Sequence, residues 1–156
     1  MTYDTGSSMR RPLRDHALSL LAVVVGGLIG TGLRLALDLA IPHADDGFPV
    51  STLAINVVGA FALGVLVARY WPTARGWVKA GLGPGLLGSF TTYSAFAVSL
   101  VALASADEWM LVAGYLATTV VLGFGAAWAG LRVGALSGGQ RRVGASGAPT
   151  IDGVNE

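Results

Sequence analysis

The chain has 156 residues, of which 53% are hydrophobic and 12% are charged, and its mean hydropathy is +0.64. Soluble domains carry about 25% charged residues, so this composition excludes an ordinary soluble protein and indicates a membrane protein. The absence of cysteine excludes disulfides, thiol catalysis and thiolate metal sites. The net charge of +1 says nothing about partners, but the distribution of charge along the chain is informative.

Four apolar segments are long enough to cross a bilayer, which takes about 20 helical residues each. They are predicted at 17–40, 50–68, 80–104 and 109–131. The expected fold is therefore all-α, with one compact four-helix transmembrane unit over residues 17–132. The polar residues 1–16 are predicted as an N-terminal tail. Residues 133–156, rich in Gly, Ser and Ala, are predicted as a disordered C-terminal tail.

Small residues interrupt the predicted spans at helical spacing. Gly26 and Gly30 in the first span have the small-xxx-small spacing that lets helix backbones approach closely. The fourth span carries Gly123, Gly125 and Gly130. Tight helix packing is the preferred interpretation of most of these glycines. No inverted repeat is visible within the chain, so any two-fold architecture would have to come from a dimer.

The basic residues outside the spans are distributed on one side of the predicted bilayer. The two outer loops hold only acidic charges, at Asp45, Asp46, Asp107 and Glu108. The positive-inside rule therefore places both termini in the cytoplasm. The basic residues on that side are Arg10, Arg11, Arg14, Arg69, Arg75, Lys79, Arg132, Arg141 and Arg142.

The most unusual stretch is residues 81–96 in the third span, Gly-Leu-Gly-Pro-Gly-Leu-Leu-Gly-Ser-Phe-Thr-Thr-Tyr-Ser-Ala-Phe. Its four glycines and one proline are expected to break the helix, with Gly88 supplying conformational freedom. Broken backbone at membrane depth is tolerated only where protein buries it or where it lines a polar cavity. Such a break also brings backbone polar groups to the bilayer midplane, as in known ion sites. The pattern favours a small ion-handling membrane protein.

Polar and aromatic side chains within the spans are candidates for lining an ion path. Asn56 either makes an interhelical hydrogen bond or faces the path as a donor, and its spacing favours neither. The four hydroxyl side chains at 91–94 are interpreted as path lining rather than as bonds within their own helix. Tyr115 and Thr118 would extend the path from the fourth span. Phe96 either packs in the core or turns its positive ring edge toward an anion.

Arg34 lies within the first span, one turn before Asp38. An intramembrane charge is a functional candidate, but a pair near the membrane edge also suits snorkelling. We favour a partly structural role, with Arg34 raising the anion concentration in a vestibule. No catalytic constellation is apparent, because His16 and His43 lie outside the polar path and no nucleophile has a neighbouring base. The chain is therefore not expected to be an enzyme.

Residues 88–96, Gly-Ser-Phe-Thr-Thr-Tyr-Ser-Ala-Phe, resemble the broken third helix of the Fluc (CrcB) family of fluoride channels. The family pattern there is approximately Gly-Gly-x-Thr-Thr-Phe-Ser-Thr-Phe. Supporting matches are Gly-Gly-Leu-Ile-Gly-Thr-Gly-Leu-Arg at 26–34 and Asn-Val-Val-Gly-Ala-Phe-Ala-Leu-Gly at 56–64. Tyr115 fits the family's fourth helix. The resemblance covers all four spans and is specific as a combination.

The resemblance implies an antiparallel dimer with two fluoride pathways and a structural Na⁺ at its centre that is not transported. By motif position, backbone carbonyls of Gly88 and Thr91 would bind this Na⁺. The implied function is passive export of cytoplasmic fluoride through the bacterial plasma membrane, which reduces fluoride toxicity. Arg34 would lie in a vestibule. The implied pathway residues are Asn56, Tyr93, Ser94, Phe96 and Tyr115.

Two departures from the family pattern leave alternatives open. Tyr93 adds a hydroxyl where the family usually has Phe, and Ala95 deletes one where it usually has Thr. A non-conducting partner subunit of a heterodimeric channel is therefore one alternative. The one-sided basic residues likewise favour an oppositely oriented homologue as partner over a second copy. Another alternative is a small multidrug-type exporter, although the first span lacks the membrane-embedded glutamate that proton-coupled exchange in that family requires.

Overall fold

A computed structural model describes residues 6–40 and 47–139, with side chains described for 14–40 and 47–137. Predictions about the tail beyond residue 139 lie outside the described residues. The same holds for the predictions made for His43, Asp45, Asp46, Arg141 and Arg142.

The described chain is helical in its four spans, except at Thr91 and Thr92 in the third. The first, second and fourth spans are continuous helices: α1 (Gly6–Ala40), α2 (Val50–Arg69) and α6 (Trp109–Gly139). The third span has four parts: α3 (Gly76–Ala80), a π-helix (Gly81–Leu87), α4 (Gly88–Phe90) and α5 (Tyr93–Ser105). All four spans are long and apolar enough to cross a membrane. The predicted all-α fold with a broken third helix is therefore confirmed.

Two helices are longer than the sequence predicted. α1 begins at Gly6 rather than at residue 17, and α6 continues to Gly139 rather than ending near 131. Residues 133–139 were predicted as part of a disordered tail but are helical. Extending an existing helix adds one hydrogen bond per residue without a new nucleation cost, and no proline interrupts this stretch. Both helices exceed the roughly 20 residues that a bilayer requires, so they project beyond it.

The helices pack as two close pairs through small residues. α1 lies against the π-helix, where a Cβ added at Gly26 or Gly30 would overlap the carbonyl oxygen of Gly81 or Leu86. α2 lies along α6, where a Cβ at Gly64 would overlap the Ala127 carbonyl oxygen. These contacts confirm close helix packing for Gly26, Gly30 and Gly130, whereas a Cβ added at Gly123 or Gly125 would meet no atom within 4 Å, so the packing prediction is wrong for those two.

α2 and α6 run parallel to each other, because later residues of one contact later residues of the other. Gly64 lies against Ala127 and Leu131, whereas Ala68 lies against Gly134. The basic ends of the two helices therefore lie at the same side of the molecule. There the Arg69 guanidinium lies 5.4 Å from the ring centre of Tyr70, and Arg132 lies 4.7 Å from that of Trp128. Such aromatic and basic pairs are typical of a membrane–water interface.

Candidate functional site

The glycine-rich part of the third span is helical, but its helix is wider than an α-helix. Gly81, Gly83 and Gly85 are buried within the π-helix, which also accommodates Pro84. Proline has no N–H and its ring displaces a preceding carbonyl, so a locally wider turn relieves the clash. The sequence predicts the break within this glycine-rich stretch, and that predicted position is wrong.

The break itself lies at two threonines. Thr91 (φ −75°, ψ 155°) and Thr92 (φ −145°, ψ 119°) are extended, between the end of α4 and the start of α5. Gly88, by contrast, has ordinary helical angles (φ −65°, ψ −31°). A Cβ added there would lie 3.7 Å from the Gly83 carbonyl oxygen, an ordinary van der Waals distance. The conformational freedom expected of Gly88 is therefore not used within the subunit.

Asn56 of α2 holds the break in place. Its Nδ2 donates to the Thr92 carbonyl at 3.0 Å, and the Thr92 N–H donates to its Oδ1 at 2.8 Å. The structure thus confirms the interhelical hydrogen bond, one of the two interpretations of this residue. A side-chain amide carries two N–H donors, so one remains after the bond to Thr92. Asn56 also lines the cavity described below, so its second N–H is available to a group in that cavity.

The threonine hydroxyls serve the local backbone. Thr91 Oγ1 donates to the Leu87 carbonyl at 2.8 Å. Thr92 Oγ1 accepts from the Ala95 N–H at 3.0 Å, which caps α5, and lies 3.1 Å from Ser94 Oγ. The local bonds that the sequence disfavours are therefore present: the Thr92 hydroxyl satisfies an N–H group at the start of α5, and the Thr91 hydroxyl donates to a carbonyl one turn earlier. Both residues also line the cavity described below, so path lining stays a prediction for them.

These bonds leave two carbonyls without their helical partners. In a continuous α-helix, the Gly88 carbonyl accepts from the N–H of residue 92, and the Thr91 carbonyl from that of residue 95. Here the Thr92 N–H donates to Asn56 and the Ala95 N–H donates to the Thr92 hydroxyl. The Gly88 and Thr91 carbonyl oxygens are therefore released by the break.

A cavity of about 650 Å³ lies between α2, the third span and α6. Its lining includes one face of α2, which is mostly apolar: Gly59, Ala60 and Leu63 follow Asn56 at helical spacing. Gly88, Thr91, Tyr93 and Phe96 contribute from the third span. Four of the predicted pathway and sodium residues thus share one cavity with Asn56.

Two buried polar atoms on the cavity wall lack hydrogen-bond partners among the described residues. They are Thr119 Oγ1 on α6 and Trp71 Nε1 after α2. From the sequence, Thr118 rather than Thr119 is predicted to extend the path. Both lie on the same side of the helix as Tyr115, at spacings of three and four residues, so spacing alone does not separate them. Buried polar groups are almost always paired, so an unpaired hydroxyl on a cavity wall is a candidate to bind an ion or molecule within the cavity.

Aromatic side chains form a continuous series beside the break. The ring centres of Tyr93 and Phe96 are 6.0 Å apart, and those of Phe96 and Tyr115 are 5.3 Å apart. Tyr93 is 82% exposed, whereas Tyr115 is completely buried behind the cavity wall. Ser94 is exposed and contacts Thr92. Neither Ser94 nor Tyr115 lines the cavity directly.

Arg34 lies away from the cavity, on α1. Its Nε is 3.8 Å from Asp38 Oδ2, and both side chains are about one third exposed. A pair of this kind contributes about 0–1 kcal/mol, so its role in stability is small. The predicted i,i+4 pair is present, and the vestibule role of Arg34 stays a prediction.

The fold and the site together define a class of protein: a multi-pass membrane protein whose third helix is broken beside a cavity. The chain matches the family described as "CrcB-like protein, Camphor Resistance (CrcB)" over residues 21–131. This match covers all four spans, and the chain belongs to that family.

Three curated relatives agree with this assignment. A protein of Leifsonia xyli named "Fluoride-specific ion channel FluC 2" is 42% identical over 142 residues, covering 86% of this chain and 95% of that protein. "Fluoride-specific ion channel FluC" of Idiomarina loihiensis is 39% identical over 122 residues, covering 76% and 94%. The protein of the same name from Paracoccus denitrificans is 35% identical over 116 residues, covering 74% and 94%. These relatives are ion channels rather than enzymes, and they confirm the resemblance found in the sequence.

Proposed function

We propose that this chain is a subunit of a fluoride-selective channel that exports cytoplasmic fluoride passively and so reduces fluoride toxicity. The observation that carries the proposal is the break at Thr91 and Thr92, which Asn56 clamps and which opens onto a cavity at membrane depth. The names of the relatives support fluoride as the ion. A multidrug-type exporter is disfavoured because the only glutamates of this sequence, Glu108 and Glu156, lie outside the four spans.

The chemistry of the cavity wall suits a small, strongly hydrated anion. Such an ion crosses a membrane only where donors replace its water. The remaining Asn56 N–H and the Thr119 hydroxyl are two such donors. The ring edges of Phe96 and Tyr93 add a positive electrostatic potential, because the quadrupole of an aromatic ring is positive at its edge. In a mostly apolar cavity these interactions are stronger than in water.

A structural Na⁺ at the dimer centre is part of the proposal. Carbonyl oxygens are the ligands that hard cations prefer. The carbonyls of Gly88 and Thr91 fit this requirement, because the break has released both from their helical partners. When bound, the cation would be coordinated by these oxygens and link the two subunits without being transported. Thr91 would serve through its backbone carbonyl, while its hydroxyl donates to the Leu87 carbonyl.

We further propose that the channel is an antiparallel dimer. A subunit with basic residues on one side inserts in one orientation, so the partner would be an oppositely oriented homologue. The parallel arrangement of α2 and α6 supports the one-sided charge, since it places Arg69 and Arg132 at the same end. Arg34 would then lie in a vestibule.

Fluoride efflux from liposomes tests the proposal. The purified protein would be reconstituted alone and together with an inversely charged homologue, and external fluoride would be followed with an ion-selective electrode. We expect rapid fluoride efflux and no chloride efflux from at least one preparation. Replacing Na⁺ by N-methylglucamine during purification should reduce assembly. Proton-driven transport of a cationic dye without fluoride efflux would instead support the exporter.

A further inference from the structure

One aromatic contact joins Tyr115, a predicted pathway residue, to a residue outside the predicted pathway. Phe48 lies in the segment before α2, and its ring centre is 5.4 Å from that of Tyr115 at an interplanar angle of 87°. This is the T-shaped arrangement that aromatic rings prefer. Phe96 contacts the same tyrosine from α5, at 5.3 Å. Tyr115 is thus held between a residue of the third span and a residue of the first loop.

The backbone around Phe48 is fixed to the beginning of α2. Pro49 has φ −77° and ψ 70°, and the Val50 N–H donates to the Phe48 carbonyl at 2.8 Å. These values define an inverse γ-turn, and the proline ring restricts φ further. The Pro49 carbonyl then accepts from the Leu53 N–H at 3.1 Å, which starts the helix. The backbone of Phe48 is therefore joined to the first turn of α2 by this turn.

The burial of Tyr115 depends on groups outside its own helix. It is completely buried, although Gly114 and Leu116 beside it on α6 are exposed. Ser51 and Ile55 in the first turns of α2 are 2% exposed, so that end of α2 is closely packed. Phe48 extends this packed region over the ring of Tyr115.

We propose that Phe48 is a positioning residue of the ion pathway, which holds the Tyr115 phenol in one orientation and excludes outer water from it. The inference rests on the proposed fluoride conduction. Removing the Phe48 ring leaves a gap beside Tyr115, so the phenol gains alternative rotamers and water gains access. An anion that passes Phe96 would then meet a mobile, hydrated side chain instead of an ordered one.

Fluoride efflux per reconstituted channel tests this role, in the assembly in which the wild-type protein conducts. Phe48→Leu keeps apolar volume but removes the ring, and should slow efflux by about three- to tenfold, the range expected for one aromatic pair. Phe48→Tyr keeps the ring and should stay within about twofold of wild type. Phe124→Leu is the matched control, because Phe124 is 76% exposed on α6, and it should leave efflux unchanged.

A double-mutant cycle separates positioning from simple packing. If Phe48 acts through Tyr115, Phe48→Leu should have no further effect on efflux in a Tyr115→Leu background. A purely structural role would lower the melting temperature in both backgrounds and leave efflux per folded channel unchanged, which would overturn the inference. Should Phe48→Leu fail to fold, Phe48→Met compared with Phe48→Tyr makes the same test. Absence of fluoride efflux from the wild type would refute the proposed function instead.

Discussion

The side-chain amide of Asn56 pairs with the backbone of Thr92 through two hydrogen bonds, of 3.0 and 2.8 Å. An amide side chain presents a donor and an acceptor side by side, so it can pair with the C=O and the N–H of one residue. One residue of α2 therefore satisfies both polar groups of an extended residue in the broken helix. The same pairing takes the Thr92 N–H away from the Gly88 carbonyl, and so releases the oxygen that we propose as a cation ligand.

Asn56→Asp should abolish fluoride efflux while leaving the chain able to fold. The carboxylate still accepts from the Thr92 N–H but cannot donate to its carbonyl, and it adds a negative charge at the cavity wall. At an effective dielectric constant of about 20, a charge 4 Å from the anion raises its energy by roughly 4 kcal/mol. Efflux and thermal unfolding in detergent would be measured together. Normal efflux through folded Asn56→Asp protein would remove Asn56 from the path.

The neutral variant Asn56→Leu provides the control for this experiment. It removes both hydrogen bonds without adding charge and leaves two buried backbone groups unpaired. We expect a loss of stability of about 1–3 kcal/mol for each group left unsatisfied. If Asn56→Leu and Asn56→Asp are equally unstable and equally inactive, the effect of Asp comes from the lost clamp and not from charge.

Thr119→Val should reduce fluoride efflux without reducing stability. Valine has nearly the shape of threonine, and the Thr119 hydroxyl has no partner among the described residues. Removing an unpaired buried hydroxyl costs no hydrogen bond, so the melting temperature should stay the same or rise. Thr118→Val on the same helix is the matched control, because Thr118 does not line the cavity. Equal effects of the two substitutions on efflux would contradict a specific role of Thr119.

Thr91→Ala should be mild, because the proposed sodium ligand at this position is the backbone carbonyl. The substitution removes the hydroxyl bond to Leu87 and a methyl contact with Gly59, at a cost of about 1 kcal/mol. The dependence of assembly on Na⁺ should persist. Size-exclusion chromatography in Na⁺ and in N-methylglucamine would measure it. Loss of the Na⁺ effect in Thr91→Ala would indicate that the hydroxyl is the ligand.

Gly88→Val tests whether the glycine is required for folding of the subunit or for assembly of the dimer. Within the subunit a side chain fits, because the backbone is helical and the nearest atom to an added Cβ is 3.7 Å away. We therefore expect a folded, helical subunit by circular dichroism that no longer assembles in Na⁺. An unfolded Gly88→Val subunit would mean that the glycine is required for the fold itself.

The orientation of the chain is predicted from its charges, and C-terminal reporter fusions would test it. Alkaline phosphatase reports an outer C-terminus and green fluorescent protein a cytoplasmic one. Because the basic residues lie on one side, we expect fluorescence alone. Substantial signal from both reporters would show dual insertion and would favour a homodimer over a pair with an oppositely oriented homologue.

Much of this protein follows from local properties of its sequence. The four spans are evident because a bilayer demands about 20 consecutive apolar residues, and the positions of Lys and Arg predict an orientation. The small residues at Gly26 and Gly30 predicted close packing of α1, and the structure confirms it. The motif at 88–96, combined with the matches at 26–34, 56–64 and Tyr115, indicates the family. Each of these inferences can be made without knowing which helices are neighbours in the fold.

The position of the break was decided by tertiary structure. The glycines and Pro84 are the residues with the weakest helix propensity, yet they form a continuous π-helix, because α1 packs closely against them. The helix opens at Thr92, where Asn56, 36 residues away in the chain, offers alternative hydrogen bonds. Likewise, Thr119 rather than Thr118 lines the cavity, and Phe48 meets Tyr115 from a distant loop. Helix propensity is local, whereas the partner of a released backbone group is supplied by whichever helix packs beside it.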